Sequence, residues 1–201
     1  RMQLNGYAIL GAYLGYLRNN ANEAQAMFND LLIGVTNFFR DRGAWDTLVD
    51  QVIPALFEGK GTGDFVRVWT IGCSTGEEAY SLAMLLVEYG SRLEIQPQIQ
   101  VFASDLDEAA LMRAREGIYP AAIESDVSQE RLKRFFTIEG DHYRVRRELR
   151  ELVLFASHSV LRDPPFSRVD LISCRNLLIY LQRSIQEDVF EIFHYALNTG
   201  G

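Results

Sequence analysis

Two adjacent carboxylates follow a glycine turn in residues 66–81, VRVWTIGCSTGEEAYS. A short β-branched and aromatic run that enters such a turn and then an amphipathic stretch is how nucleotide-type cofactors are held, with phosphate on the helix N-terminus. Glu77 and Glu78 stand where that phosphate would lie and would repel it. Gly72 and Gly76 are spaced G-x-x-x-G, and the dinucleotide fingerprint G-x-G-x-x-G is absent. Ser74 and Glu77, three apart at a helix start, match a capping box, so Glu77 also reads as a helix cap. Glu78 has no such role. A carboxylate there attracts an ammonium or accepts hydrogen bonds from hydroxyls.

A further acid ends the run IQVFASDLD at residues 99–107. An acid at the tip of the second strand of an α/β sheet accepts hydrogen bonds from ribose hydroxyls. Asp105 competes for this place with Asp107, but Asp107 is better placed to cap the helical stretch DEAALMRARE, which leaves Asp105 for a sugar. The ligand expected is therefore phosphate-poor, and S-adenosylmethionine fits, having a sulfonium, an amino-acid end and a ribose.

The elements that must position these acids are legible in the periodicity. Helix-spaced apolar residues run through 4–18, 21–34 and 42–58, and GKGTGD at 59–64 is a breaker. The expected organisation is a helical subdomain over residues 1–60 and a cofactor-binding domain over 61–201. Beyond the breaker, strand-like runs at 66–71, 99–104, 152–156 and 169–174 alternate with helical stretches at about 77–92, 107–117, 128–136 and 183–197. That alternation predicts an α/β fold with a parallel sheet covered on both faces. Within FTIEGDHYRVRR, Glu139-Gly140-Asp141 separates two runs of strand character and predicts an antiparallel hairpin inserted at about 135–150.

Composition narrows the function classes. With 48% apolar residues the chain can bury a sizeable core, and its net charge of -7 argues against coating nucleic acid, which needs many Lys and Arg on phosphates. Cys73 and Cys174 lack a CxxC spacing, which predicts neither a disulfide framework nor a metal site and makes a reducing cytoplasm the default. No apolar run is long enough for a membrane span, so no membrane insertion is expected. His142, His158 and His194 stand alone, and no chemistry is assigned to them.

Four blocks, TNFFRD at 36–41, GCSTGEEAYSLAMLL at 72–86, FASDLDEAALMRAREGIY at 102–119 and CRNLLIYL at 174–181, give the chain a specific likeness. In order and spacing it resembles the CheR-type chemotaxis receptor methyltransferases. The resemblance implies a Rossmann-like class I methyltransferase fold, with an N-terminal helical subdomain and the hairpin as insertion. It also implies further strands beyond residue 201, so the C-terminal part of the sheet reads as truncated. The activity implied is methyl transfer from S-adenosylmethionine to glutamate side chains of chemoreceptors, leaving S-adenosylhomocysteine and using no metal. The implied partner is a chemoreceptor cytoplasmic domain, and the short helical part points to an origin in a longer fused signalling protein.

Residue by residue, the likeness places Thr36 and Arg40 in the active site, with the backbone near Gly34 close to the cofactor. It makes Arg40 and Tyr180 catalytic, Arg40 also touching the cofactor, and makes Glu78, Asp105, Arg175 and Asn176 cofactor contacts. The family's Asn-Leu pair near the adenine aligns with Ser159 and Val160, a departure that removes the amide. Phe38 and Phe39 read as core packing, and Arg175 also reads as a structural ion-pair residue. Arg144, Arg146 and Arg147 of the hairpin read equally as a solvated edge or as a docking site for a receptor's tethering peptide. The rival function is a noncatalytic module that binds cofactor or partner within a larger signalling chain.

Overall fold

The structure, a computed structural model, describes residues 1–31 and 36–201, leaving aside the side chains of residues 25 and 28–31. It divides into compact units, Arg1–Val35 and Thr36–Gly201. In the first, helix α1 (Leu10–Asn19) is followed by α2 (Ala21–Leu31). The apolar pattern predicts a helix from residue 4, yet the chain begins with turns in which Asn5 N–H bonds Arg1 O and Tyr7 N–H bonds Met2 O. Gly6, at φ 75°, takes the left-handed conformation that stops helical winding there. Glu23 is only 7% exposed. Arg1 Nε and Nη2 donate to it at 2.7 Å, the Tyr13 hydroxyl at 2.7 Å and the Asn5 amide at 2.8 Å. These bonds, that from Arg1 foremost, draw its pKa down to about 2.

The second unit opens with α3 (Arg42–Thr47), a π-helical turn over Leu48–Val52 and α4 (Ile53–Phe57). Then come β1 (Phe65–Ile71), α5 (Glu77–Gly90), β2 (Gln98–Asp105), α6 (Glu108–Glu116), β3 (Ile118–Pro120) and a 3₁₀ turn, Ala121–Ser125. They are followed by α7 (Gln129–Phe135), β4 (Phe136–Glu139), β5 (His142–Val145), α8 (Arg147–Arg150), β6 (Val153–Ser157) and β7 (Leu171–Ser173). A 3₁₀ turn, Leu178–Tyr180, leads to α9 (Arg183–Ala196).

The larger sheet is parallel, in the order β6-β2-β1-β7. Successive side chains of a strand face opposite sides, and β1 is apolar on both. Val66 and Val68 pack with Ala79, Leu82 and Leu86 of α5, whereas Trp69 and Ile71 pack with Val169, Phe193 and Ala196 on the other face. Trp45, Ile53, Leu56 and Phe57, grouped by periodicity with the N-terminal helices, share the core of the α5 face. From β1 the chain builds outward through β2 to β6, then crosses back to place β7 on the opposite side of β1. Ligands of such sheets bind at the carboxyl ends of the strands where the winding reverses. Among the described residues, no helix is long and apolar enough to cross a membrane.

The expected hairpin is present, with β4 and β5 joined at Gly140 and Asp141, and Gly140 at φ 64°. It carries an unforeseen third strand, for β3 pairs with β5 in the order β3-β5-β4. Ile118–Pro120 is too short to show an alternating pattern and includes a proline, which marks it as a non-strand unless it lies at an edge. The hairpin arginines bond to their own neighbourhood, with Arg146 and Arg147 remaining exposed. Arg144 bonds Glu139 at 2.6 Å and Arg147 bonds Glu151 at 2.6 Å, while Arg146 donates to the carbonyls of Phe136 and Lys133.

Candidate active site

At the carboxyl end of β1 the chain turns through Gly72, Ser74 and Gly76, with φ of 70°, 48° and 93°. Left-handed values need glycine or a local compensation. The compensation comes from β2, because the N–H groups of Gly72 and Cys73 both donate to Ser104 O, at 2.8 and 3.0 Å. Ser74 N–H donates to Asp105 Oδ2 at 2.7 Å, and Asp107 N–H to Asp105 Oδ1 at 2.9 Å. Asp107 caps α6 through Ala109 and Ala110 N–H. Asp105, half-buried at the tip of β2, therefore ties the glycine turn to its neighbouring strand. A carboxylate offers about four lone-pair sites, and the two backbone donors leave others for a ligand.

The capping box between Ser74 and Glu77 does not form. The N-cap of α5 is Gly76, with no side-chain cap bond, so Glu77 is the first helical residue and stands too early to close a box. Its carboxylate accepts from the Thr75 hydroxyl at 2.7 Å, and burial raises its pKa. Tyr119 completes the turn by donating to Thr75 O at 2.7 Å. A Cβ on Gly76 would lie 2.9 Å from Ala114 Cβ and 3.1 Å from the Phe155 ring. With φ at 93° as well, Gly76→Ala is expected to lower stability by about 2–3 kcal/mol, as read from urea unfolding. An unshifted midpoint would contradict this packing.

Glu78, in the first turn of α5, accepts from the Ser173 hydroxyl at 2.7 Å and lies 3.6 Å from Arg175 Nη1. Burial raises its pKa, opposed by Ser173 and by the charges of Arg175 and Arg40. Arg40 sits in a turn with left-handed residues on both sides, Phe39 at φ 50° and Asp41 at φ 59°. Phe39 N–H donates to Ser81 Oγ at 3.2 Å, and that hydroxyl donates to Glu77 O at 2.7 Å. The carbonyl of Arg40 accepts from Trp45 Nε1 at 2.6 Å and from Arg175 Nη2 at 2.9 Å, and Arg175 also bonds Asp41. Phe38 and Phe39 are buried, Phe38 edge-on to Tyr119 and Phe39 under the Arg131 guanidinium.

The structure thus gathers Arg40, Glu78 and Arg175 and sets Asp105 across the glycine turn. Thr36 is half-buried at the start of the Arg40 turn, and Gly34 lies outside the described residues. Ser159 and Val160 follow β6. Ser159 N–H bonds Asp163 at 2.7 Å, and Val160 packs on the Trp69 cluster. Asn176 is exposed with φ at 57°, and Tyr180 is 61% exposed. Among the described residues, no hydrogen bond or ring contact joins Tyr180 to Arg40 or Glu78. Sequence reasoning passed over Ser81, Trp45 and Ser173, although Ser81 lies within the GCSTGEEAYSLAMLL block, Ser173 directly precedes CRNLLIYL and Trp45 stands four residues past TNFFRD. Cys73 is buried and Cys174 half-buried, and burial pushes the Cys174 thiol up to about 12. Among the described residues, no cluster of three or more His, Cys, Asp or Glu is arranged to hold a metal ion.

A parallel sheet with a glycine turn at its winding reversal and an acid on the adjacent strand tip defines a Rossmann-like cofactor-binding domain. Within that class, the chain belongs to the family of the CheR methyltransferase, SAM binding domain, which matches residues 34–201. The likeness drawn from the four sequence blocks is thereby borne out. Over its whole length the chain is 40% identical to an uncharacterized 104.1 kDa protein of Rhodobacter capsulatus, of which it spans 21%. It is 32% identical, over all of the chain and 71% of the relative, to chemotaxis protein methyltransferase 2 of Vibrio cholerae. It is 34% identical, over 97% of the chain and 72% of the relative, to the chemotaxis protein methyltransferase of Listeria monocytogenes.

Proposed function

We propose that this domain transfers a methyl group from S-adenosylmethionine to glutamate side chains in the cytoplasmic part of a chemoreceptor, giving methyl esters. The observation that carries the reading is the pairing of Glu78 and Asp105 on either side of the Gly72–Gly76 turn, with the family membership of residues 34–201 beside it. The donor set fits a cationic, phosphate-free cofactor. Both side chains are acidic and partly accessible, and the turn itself carries no Lys or Arg to neutralise phosphate. The chain's place is then the cytoplasm, in keeping with its free cysteines.

S-adenosylmethionine supplies a methyl on a positive sulfur; transfer breaks the C–S bond, forms a C–O bond to the acceptor carboxylate, and consumes both charges. A glutamate acceptor is ionised at neutral pH, its unperturbed pKa being about 4.3, so no general base is required of the protein. The protein's work is to bind, orient and exclude water. Asp105 accepts from ribose hydroxyls. Glu78 meets the amino-acid end, where a positive charge offsets the burial that raises its pKa. Arg40 orients the acceptor carboxylate by a forked pair of hydrogen bonds, and holds it loosely enough that the ground state is not favoured over the transition state. Thr36, Arg175, Asn176 and the backbone at Ser159 and Val160 complete the lining, with Tyr180 beside the acceptor.

The test is transfer of tritiated methyl from the cofactor to purified receptor cytoplasmic fragments, with base-labile label as the signature of an ester. Label that survives base would count against a carboxylate acceptor, and binding of NAD or ATP in place of the cofactor would end the reading. The rival is a noncatalytic module; the 104.1 kDa relative, of which this chain spans 21%, fits fusion to other domains. Cofactor binding without any transfer would decide for it.

A further inference from the structure

The Arg40 turn is held in an unfavourable shape by neighbouring side chains, of which Trp45 has no part in the transfer itself. Left-handed Asp41 turns the Arg40 carbonyl out of the backbone ladder of α3, so this oxygen depends on side-chain donors. Among the described residues, two reach it, the indole N–H of Trp45 within α3 at 2.6 Å and Arg175 Nη2 at 2.9 Å. Trp45 is 6% exposed, packs edge-on against Phe39 at 5.5 Å between ring centres, and lies under the Arg175 guanidinium at 5.4 Å. It therefore touches both neighbours in space that fix the turn, Phe39 on one side and Arg175 on the other. Arg175 in turn reaches Asp41 at 2.9 Å and approaches Glu78.

We infer that Trp45 is a positioning residue for Arg40: its N–H latches the Arg40 carbonyl, and its ring holds Arg175 where it bridges the turn to Glu78. The consequence for transfer rests on the proposed function; the latch itself does not. A donor of this kind acts on geometry, and a displacement near 1 Å at a positioned group costs up to about a hundredfold in rate. Trp45→Phe keeps an aromatic ring against Phe39 and Arg175 and removes only the donor and the second ring.

In the full chain, Trp45→Phe is expected to lower kcat for receptor fragments by about tenfold, with KM and the affinity for S-adenosylhomocysteine changed by no more than about threefold. Hydrogen–deuterium exchange is expected to quicken at the amides of residues 39–42 and to stay unchanged over α5 and β1. An unaltered kcat overturns the inference. So does a loss spread equally over kcat, cofactor affinity and protection throughout the domain, which would mark general damage. Should the native chain transfer no methyl at all, the functional reading fails, and the exchange measurement still decides the latch. Unchanged exchange at 39–42 overturns it, and faster exchange confined there supports it.

Discussion

Asp105→Ala is expected to weaken S-adenosylhomocysteine binding by about a hundredfold, measured by calorimetric titration against the native chain. A hydrogen bond to a charged group contributes about 1.5–3 kcal/mol, and the substitution removes the acceptor proposed for the ribose hydroxyls. It also strips the partner from Ser74 N–H and Asp107 N–H, bonds of 2.7 and 2.9 Å that hold the glycine turn against β2. The two losses act together, because a turn that has drifted from the strand tip no longer presents its backbone to the cofactor. Asp105→Asn separates them. Its single amide oxygen can serve a backbone N–H or the sugar but not both pairs of bonds, so a drop of about tenfold is expected. Equal affinity in native chain and alanine variant would remove Asp105 from the cofactor site.

Arg40→Ala is expected to reduce methyl transfer by about a hundredfold to a thousandfold while the affinity for S-adenosylhomocysteine falls by no more than about threefold. The structure makes this variant informative, because the bonds that shape the turn run to the backbone carbonyl of Arg40 and survive truncation of its side chain. What the variant removes is the guanidinium, which sits close enough to Glu78 to oppose the rise in its pKa. Arg40→Lys keeps a charge without the planar fork and is expected to fall between the two. Full transfer by Arg40→Ala would reject its positioning of the acceptor.

The cap of α6 was legible because it follows from a local rule. Asp107 caps α6 from the position that its place before DEAALMRARE predicts, since a cap is a bond between residues two or three apart. The capping box at Ser74 and Glu77 obeys the same rule on paper and fails in the fold. Ser74 N–H is taken by Asp105, 31 residues away, and the left-handed turn this imposes shifts the helix start to Glu77. Likewise the hairpin was readable from a glycine between two strand-like runs, but its third strand was not. β3 exists only because β5 supplies its partners, Tyr119 opposite Tyr143.

By itself, the sequence determined the parallel sheet, through apolar runs that can be buried only between two helical layers, and the family, through four motifs in fixed order. It also determined that an acidic turn follows β1. Tertiary structure alone decided how that turn is used. Ser173 on Glu78, Ser81 on Phe39, and Trp45 with Arg175 on the Arg40 carbonyl are bonds whose partners lie in different elements. Periodicity reports which face of an element is buried, and a hydrogen bond between elements depends on their register and on side-chain direction, which are set only when the layers pack.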